Sequence, residues 1–295
     1  ANDKELEDLL ATKFASVVEV DLQQREELRK LPEDCDTVFH LAAVNGTRNF
    51  YERPYEVLSN NLASLLNLLS WAKERSRQRL VWTSSSEVYA STVDSGLAKV
   101  PTDEDVPVSI ADVSNPRFSY AGSKLAGELL CWHFSIATKI ETVIVRPHNV
   151  YGPRMGFDHV VPQLIARILN REDPFVLYGS DQTRAFCYVA DFVRGLRLAG
   201  ETPSLETPVL VNIGNDDEIP ISTLASMLFD IMDFHPRVEG SPAPPGSTDR
   251  RCPDLARAKE LLDYQPAIPL KAGLQETVDW YTAYYAQTKA TSARA

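Results

Sequence analysis

Arg117-Phe118-Ser119-Tyr120-Ala121-Gly122-Ser123-Lys124-Leu125-Ala126-Gly127-Glu128 is the stretch on which the reading of this chain turns. Asn115-Pro116 breaks the chain ahead of it, and Ser119 is placed to cap a helix that runs to about residue 139. Tyr120 and Lys124 are four apart, so both project from one face of the first turns. An ammonium beside a phenol favours the phenolate and draws its pKa down from about 10, which makes a base able to take a proton from a hydroxyl. The spacing is not specific by itself. Tyr285 and Lys289 repeat it in a polar C-terminal stretch, where two residues on a solvated helix face explain it.

The segments on either side give the spacing a setting. Strands are expected at 15–20, 37–41, 78–84 and 141–146, and helices at 4–10, 25–31, 54–75 and 119–139. That alternation predicts an α/β fold, a doubly wound parallel sheet covered on both faces. After Pro147 the alternation loosens. Helices at 162–170, 189–198, 221–233, 252–262 and 270–285 and short strands at 175–178 and 209–213 surround a proline- and glycine-rich loop at 235–249. A first domain of 1–150, joined by about 187–213, and a smaller second lobe of 151–295 that closes over a cleft are expected.

Composition narrows the function classes. The 295 residues are 44% hydrophobic and 24% charged, which suits one large unit or two packed lobes. A net charge of −11 argues against nucleic acid or an anionic membrane as partner. It leaves room for a small anionic substrate held by a few arginines. No apolar run approaches the ~20 residues of a membrane span, and no signal peptide is visible. The four cysteines are widely spaced and form no Cys-x-x-Cys pair. They read as reduced thiols of a cytoplasmic protein, without metal or disulfide.

Ser84-Ser85-Ser86-Glu87-Val88-Tyr89 directly follows an apolar strand. Ligands of doubly wound sheets bind at the carboxyl ends of strands, where such hydroxyls can hydrogen-bond a reacting oxygen. Tyr120-x-x-x-Lys124 follows on the next helix, then Arg146-Pro147-His148-Asn149-Val150-Tyr151-Gly152-Pro153. Further on come Tyr178-Gly179-Ser180-Asp181-Gln182-Thr183-Arg184-Ala185-Phe186 and Asp249-Arg250-Arg251-Cys252-Pro253-Asp254. Together, and in this order, these stretches resemble the extended short-chain dehydrogenase/reductase family, the NAD-dependent nucleotide-sugar epimerases, dehydratases and decarboxylases. The resemblance covers nearly the whole chain and implies a Rossmann-type domain with NAD as cofactor, a nucleotide-diphosphate sugar as substrate and a homodimer. It places Ser85, Tyr120 and Lys124 as the catalytic serine, the base and its partner, the last also holding the nicotinamide ribose. Asp21 matches the acidic residue near the adenine, Leu41, Ala42 and Ala43 the small turn under the cofactor, and Asn61 and Pro147 positions lining it. Ser86, Asn149, Arg184 and Arg250 match positions on the substrate side, where forked arginine donors suit a diphosphate.

One departure stands out. Family members open with a strand, a glycine-rich turn and a helix that cradles the pyrophosphate, and no such turn is found here. About 40 residues are missing, a strand-helix-strand unit of the usual ~30 or more. A sheet that lost its centre would bare much apolar surface, so the expectation is a segment left out rather than a protein built without it.

The shared first step of the family is oxidation at C4 to a 4-keto sugar, and the reaction that follows hangs on a few residues. Glu87 is matched by glutamate in UDP-glucuronate decarboxylases and several 4,6-dehydratases, where 4-epimerases carry a small or neutral residue. It is a candidate catalytic carboxylate, to act at C5 or on a C5 carboxylate; a plain capping role is the other reading. Ser86 stands where glucose-type dehydratases have aspartate. The reading therefore leans to UDP-glucuronate decarboxylase-like or 4,6-dehydratase chemistry, with a 4-epimerase as alternative. A non-catalytic truncated binding protein and a dehydrogenase that releases NADH are the readings from other classes. Leu65, Leu66, Leu68, Leu69 and Trp71 on the long helix, with Leu125, Leu129, Leu130, Trp132 and Phe134 on the next, exceed what one core face needs. Paired across a two-fold axis they would form a four-helix interface.

Overall fold

A computed structural model describes residues 4–75, 79–203, 205–243 and 247–292. In chain order its first half holds α1 (Lys4–Ala11), β1 (Thr37–His40), α2 (Thr47–Glu52), α3 (Pro54–Lys73), β2 (Arg79–Thr83), α4 (Ala90–Asp94), α5 (Phe118–Thr138) and β3 (Glu141–Pro147). There follow β4 (Val150–Tyr151), α6 (Val160–Leu169), β5 (Phe175–Tyr178), β6 (Thr183–Ala185), β7 (Cys187–Tyr188), α7 (Val189–Glu201) and β8 (Val209–Ile213). The chain closes with β9 (Glu218–Pro220), α8 (Ile221–Ile231), β10 (Val238–Ser241), β11 (Arg250–Arg251), α9 (Ala256–Leu262) and α10 (Leu270–Ser292).

The main sheet runs β1-β2-β3-β8, all parallel. Its residues alternate between two cores, as a strand period of two requires. Leu80, Trp82 and Ile144 face α3 and α5, with Leu65, Leu68, Leu69 and Cys131. Val81, Val143, Val145, Val211 and Ile213 face α7 and α9, with Leu196, Ala199, Ala258 and Leu262. Helices on both faces of a parallel sheet are the doubly wound arrangement expected from the sequence. A separate core of Val161, Leu164, Ile165, Phe175, Leu224, Leu228, Leu274 and Tyr281 holds α6, α8 and α10 together around β5. Segments of the two cores alternate along the chain, so α9 packs on the sheet although its neighbours in sequence belong to the other core.

Three local expectations change. The segment 15–20, expected as a strand, is irregular and pairs with no neighbour, with Val17 and Val18 exposed. β1 pairs only with β2, and a strand persists only where a neighbour takes its hydrogen bonds. The helix expected from Ser119 begins at Phe118, with Arg117 at its N-cap position and no side-chain capping bond. The loop expected at 235–249 carries β10, which pairs in parallel with β5. Residues 244–246 of that loop, and Gln78 ahead of β2, lie outside the described residues.

α5 lies close on β2 because Gly127 allows it. A Cβ there would stand 2.5 Å from the Trp82 ring. That approach lets Lys124 reach the end of β2 and sets Tyr120 beside the turn that follows.

Candidate functional site

The turn after β2 is fixed from below. Ser84 N donates to Val145 O at 2.7 Å, and Ser84 Oγ donates to Glu128 Oε1 at 2.5 Å. Glu128 takes a fork from Arg146, whose Nε and Nη2 donate at 2.7 and 2.6 Å. Both residues are buried, and the Arg146 guanidinium lies 4.5 Å over the Tyr89 ring. Directly above, Ser85 Oγ accepts from Glu87 N at 3.2 Å and opens a single 3-10 turn over Ser86–Tyr89.

Tyr120 and Lys124 stand on the α5 face beside this turn, as their spacing requires. Lys124 Nζ donates to Thr83 O at 2.7 Å and lies 4.9 Å over the Trp82 ring and 5.6 Å from the Tyr120 ring. Tyr120 is stacked on Phe50 at 4.8 Å. The expected fall of the tyrosine pKa does not occur. Burial raises Tyr120 to about 12, and the nearby Glu87 charge adds to the rise; a hydrogen bond with Ser85 opposes it. Burial likewise lowers Lys124 to about 8. The reason for the reversal is desolvation: both groups are dry, and taking either from water disfavours its charged form.

The shelf beside them is built by the loop after β1. Leu41, Ala42 and Ala43 are exposed at the sheet's carboxyl end. Asn61 ties that loop to α5: its Oδ1 accepts from Val44 N at 2.7 Å, and its Nδ2 donates to Val44 O and to Ser123 Oγ at 3.2 and 3.1 Å. Pro147 ends β3 on the same side of the sheet. Asp21 lies in an exposed turn, where it accepts from Gln23 N, and Asn67 ties the following residues to α3.

On the other wall the structure collects arginines. Glu87 accepts from Arg117 Nη2 at 3.3 Å through one oxygen and from Arg251 Nη1 at 2.5 Å through the other. Burial pushes the Glu87 carboxyl up, but Arg251 and Arg117 outweigh it and hold the group at about 2. Arg184 donates to Thr183 O, Asp249 O, Thr248 O and Gln182 Oε1. Among the described residues it makes no direct ion pair; burial, then Arg251 and Arg117, lower its pKa to about 10. Ser86, Thr248, Arg250 and Arg251 line one small cavity next to this cluster. Asn149 has a left-handed backbone, φ 40°, and its Nδ2 donates to Ala185 O, which links the loop after β3 to the end of β6. Arg250 turns away: its side chain is half exposed and forks onto Glu218. Its neighbour Arg251, unremarked in the sequence, points into the cleft instead. Successive residues of a strand project to opposite sides, and the two guanidinium groups accordingly bind different carboxylates, Glu218 and Glu87. Arg117 was missed as well, and its only signal was its place three residues before Tyr120.

The chain is similar to known proteins along most of its length. Residues 1–214 match the family model described as the NAD dependent epimerase/dehydratase family. A dTDP-4-dehydro-6-deoxy-D-allose reductase of a Streptomyces species is 32% identical over 286 residues, covering 93% of this chain and 84% of its own length. UDP-glucuronic acid decarboxylase 1 of Danio rerio is 32% identical over 253 residues, 84% of this chain and 58% of the relative. Among solved structures, the UDP-glucuronic acid 4-epimerase of Bacillus cereus, in complex with UDP-glucuronic acid and NAD, superposes with a TM-score of 0.80 at 27% identity. That match covers 95% of this chain and 87% of the epimerase.

Proposed function

Because the chain belongs to the NAD dependent epimerase/dehydratase family, we propose that it modifies the sugar of a nucleotide-diphosphate sugar through a 4-keto intermediate, and that this sugar carries a carboxylate on C5. The observation that carries the substrate class is the charge of the cleft. Three guanidinium groups, of Arg117, Arg184 and Arg251, gather here in a chain of net charge −11; Arg117 and Arg251 pair directly with Glu87, while Arg184 has only the more distant charges of Glu87 and Asp249. A buried arginine without a carboxylate partner is costly, and an anion that enters beside it relieves the cost. A diphosphate and a sugar carboxylate both answer that need, and guanidinium forks match both. UDP-glucuronic acid is the ligand of the Bacillus cereus epimerase, and UDP-glucuronic acid decarboxylase is the name of the Danio rerio relative.

The residues present fit the reacting half of NAD: Tyr120 and Lys124 for the ribose, the Leu41-Ala42-Ala43 shelf beneath it, and Asn61 and Pro147 alongside. Among the described residues no glycine-rich turn stands at the head of the sheet for the pyrophosphate. Bound NAD would supply the hydride acceptor for oxidation at C4. The positive charges of bound NAD and of Lys124 would favour the Tyr120 phenolate that burial alone disfavours; as phenolate, Tyr120 Oη takes the proton of the C4 hydroxyl, and Ser85 Oγ hydrogen-bonds the same oxygen. Ser86, Asn149 and Arg184 hold the substrate, and Arg251 takes the place that sequence matching gave to Arg250.

The state of Glu87 separates the later steps. Dehydration needs a base for the C5 proton, and a carboxylate held at about 2 by two arginines is a poor one. Decarboxylation needs none. A 4-keto sugar with a C5 carboxylate is a β-keto acid; the bond to the carboxylate breaks, its electron pair enters the C4–C5 enolate, and carbon dioxide leaves before a proton returns to C5. Decarboxylation is therefore the reading we favour, and 4-epimerisation of the same uronate is the second, on the strength of the Bacillus cereus structure.

The test is to incubate the protein with NAD and UDP-glucuronate, then other UDP-, GDP- and dTDP-sugars, and to weigh the products. A loss of roughly 44 mass units supports decarboxylation, and an unchanged mass with inverted C4 supports the second reading. A loss of roughly 18 overturns both in favour of dehydration, steady NADH release points to a simple dehydrogenase, and no turnover of any sugar returns the chain to a binding role.

The exposed faces of α3 and α5 carry the proposal of a homodimer. Leu66 and Leu129 are 47% and 58% exposed, and with Leu62, Leu130 and Phe134 they line an open apolar groove. A second copy would cover that groove across a two-fold axis.

A further inference from the structure

Glu87 is the meeting point of three segments remote in sequence. It stands two residues after Ser85. Arg117, bound to one of its oxygens, stands three residues before Tyr120; Arg251, bound to the other, belongs to β11. We propose that Arg117 is a positioning residue for the Ser85–Tyr120 pair, acting through Glu87, and that it ties the assembly of that pair to the seating of Arg251. The proposal rests on the roles given above to Ser85 and Tyr120.

Three observations support it. First, the path is short and closed. Ser85 Oγ is bonded to Glu87 N at 3.2 Å, the Glu87 carboxylate meets Arg117, and Arg117 leads directly into the first turn of α5. Second, the backbone of Arg117 is itself fixed at the start of α5: Asn115 Oδ1 accepts from Arg117 N at 3.1 Å and Asn115 O from Phe118 N at 3.0 Å, while the Oγ of Ser119 is buried without a partner. What anchors the entry to the serine turn is the guanidinium of Arg117. Third, the cluster is dry enough to matter. The side chains of Arg117, Glu87 and Arg251 are 16%, 21% and 15% exposed. Arg251 also keeps a buried Nε without a partner, so it has a donor left for an anion in the cleft. Each Glu87 oxygen serves a different arginine, so a shift of Arg251 is passed to Arg117 through one rigid carboxylate.

The experiment compares wild type with Arg117→Gln, Arg117→Lys, Glu87→Gln and the Arg117→Gln/Glu87→Gln double variant. Steady-state kinetics on the substrate found for the wild type are measured with crystal structures of the single variants. Arg117→Gln is expected to lower kcat by about 10-fold or more with KM within about 2-fold, the mark of a mispositioned reacting pair. Arg117→Lys should regain most of that loss. The double variant should be no slower than Glu87→Gln alone, since both changes cut one path. A merely structural role would lower stability, multiply in the double variant and show no rescue by lysine. An unchanged kcat in Arg117→Gln, or a raised KM with kcat intact, overturns the proposal. If the wild type turns over no nucleotide sugar, the functional reading fails, and the crystal structures decide this proposal separately. The Ser85–Tyr120 hydroxyl separation must lengthen in Arg117→Gln and not in Arg117→Lys; an unchanged separation overturns it.

Discussion

Replacing Lys124 by methionine should make the protein more stable and abolish its chemistry. Lys124 is 3% exposed, and its one hydrogen bond goes to a neutral carbonyl, Thr83 O at 2.7 Å. Burial lowers its pKa from 10.5 to about 8. At ~1.4 kcal/mol per decade, that corresponds to roughly 3 kcal/mol by which burial disfavours the charged form. Methionine fills a similar space without the charge but forgoes the bond to Thr83, worth about 1 kcal/mol. The net gain at pH 6.5 is then about 2 kcal/mol. The sign follows from the depressed value. Below pH 8 lysine is charged in both states and the full cost is present. Between pH 8 and 10.5 the folded state is neutral while the unfolded chain still holds its proton, so the cost shrinks and the wild type gains on the variant. The assay is urea denaturation of both proteins at pH 6.5 and pH 10, read by tryptophan fluorescence. A variant no more stable than wild type at pH 6.5, or an advantage that fails to shrink by pH 10, would refute the reasoning. Confirmation would mean that the cation is retained for function at a cost in stability, as active sites often are.

Other outcomes follow from the same geometry. Tyr120→Phe keeps the ring stacked on Phe50 and should leave nucleotide-sugar affinity nearly intact while turnover falls about 10²-fold or more; turnover equal to wild type would remove Tyr120 as the base. Arg184→Gln removes a half-buried cation that makes no direct ion pair among the described residues, so folding stability should hold or rise while KM for an anionic sugar nucleotide climbs at least about 10-fold. Leu66→Glu with Leu129→Glu places charge on the open α3–α5 groove and should halve the mass seen by light scattering at micromolar concentration; a wild type already monomeric there counts against the pairing.

The fold was legible because its signals are periodic. Strands such as 79–83 are buried from end to end, and the helices between them alternate with them as a parallel sheet demands. Ser85, Tyr120 and Lys124 were legible because each is placed by a short local rule: a strand end, or a four-residue helical step. What escaped depended on contacts no local rule reports. The direction of the tyrosine shift was misjudged because the spacing reveals a neighbouring lysine but not that both groups are dry. That Arg251 rather than Arg250 meets Glu87 cannot be read from a two-residue strand, which shows no alternation. The strand expected at 15–20 has the composition of one, but composition supplies no ladder partner.

The serine turn sits between two ion-pair systems of different character, and this leads to a last prediction. Below it, Glu128 and Arg146 come from α5 and β3, elements of one core, and are 9% and 2% exposed. Above it, Glu87 joins Arg117 to Arg251, which arrives from β11 across the cleft. The lower pair has no lobe to sense and serves as foundation. Glu128→Gln would leave Arg146 buried without its countercharge and weaken the hold on Ser84, at about 3–5 kcal/mol. At roughly 2–4 °C per kcal/mol for a chain of this size, the melting temperature should fall by about 6–20 °C. Below that transition kcat should stay within about 3-fold, because Ser85 and Tyr120 keep their upper tie. Glu87→Gln should show the reverse: a melting temperature within a few degrees of wild type, since its partners are nearer to water, and a clear loss of turnover. Measuring both quantities on both variants decides the matter. If Glu128→Gln costs turnover as heavily as Glu87→Gln does, or if Glu87→Gln costs stability as heavily as Glu128→Gln does, the two pairs form one network and the division between foundation and relay is wrong.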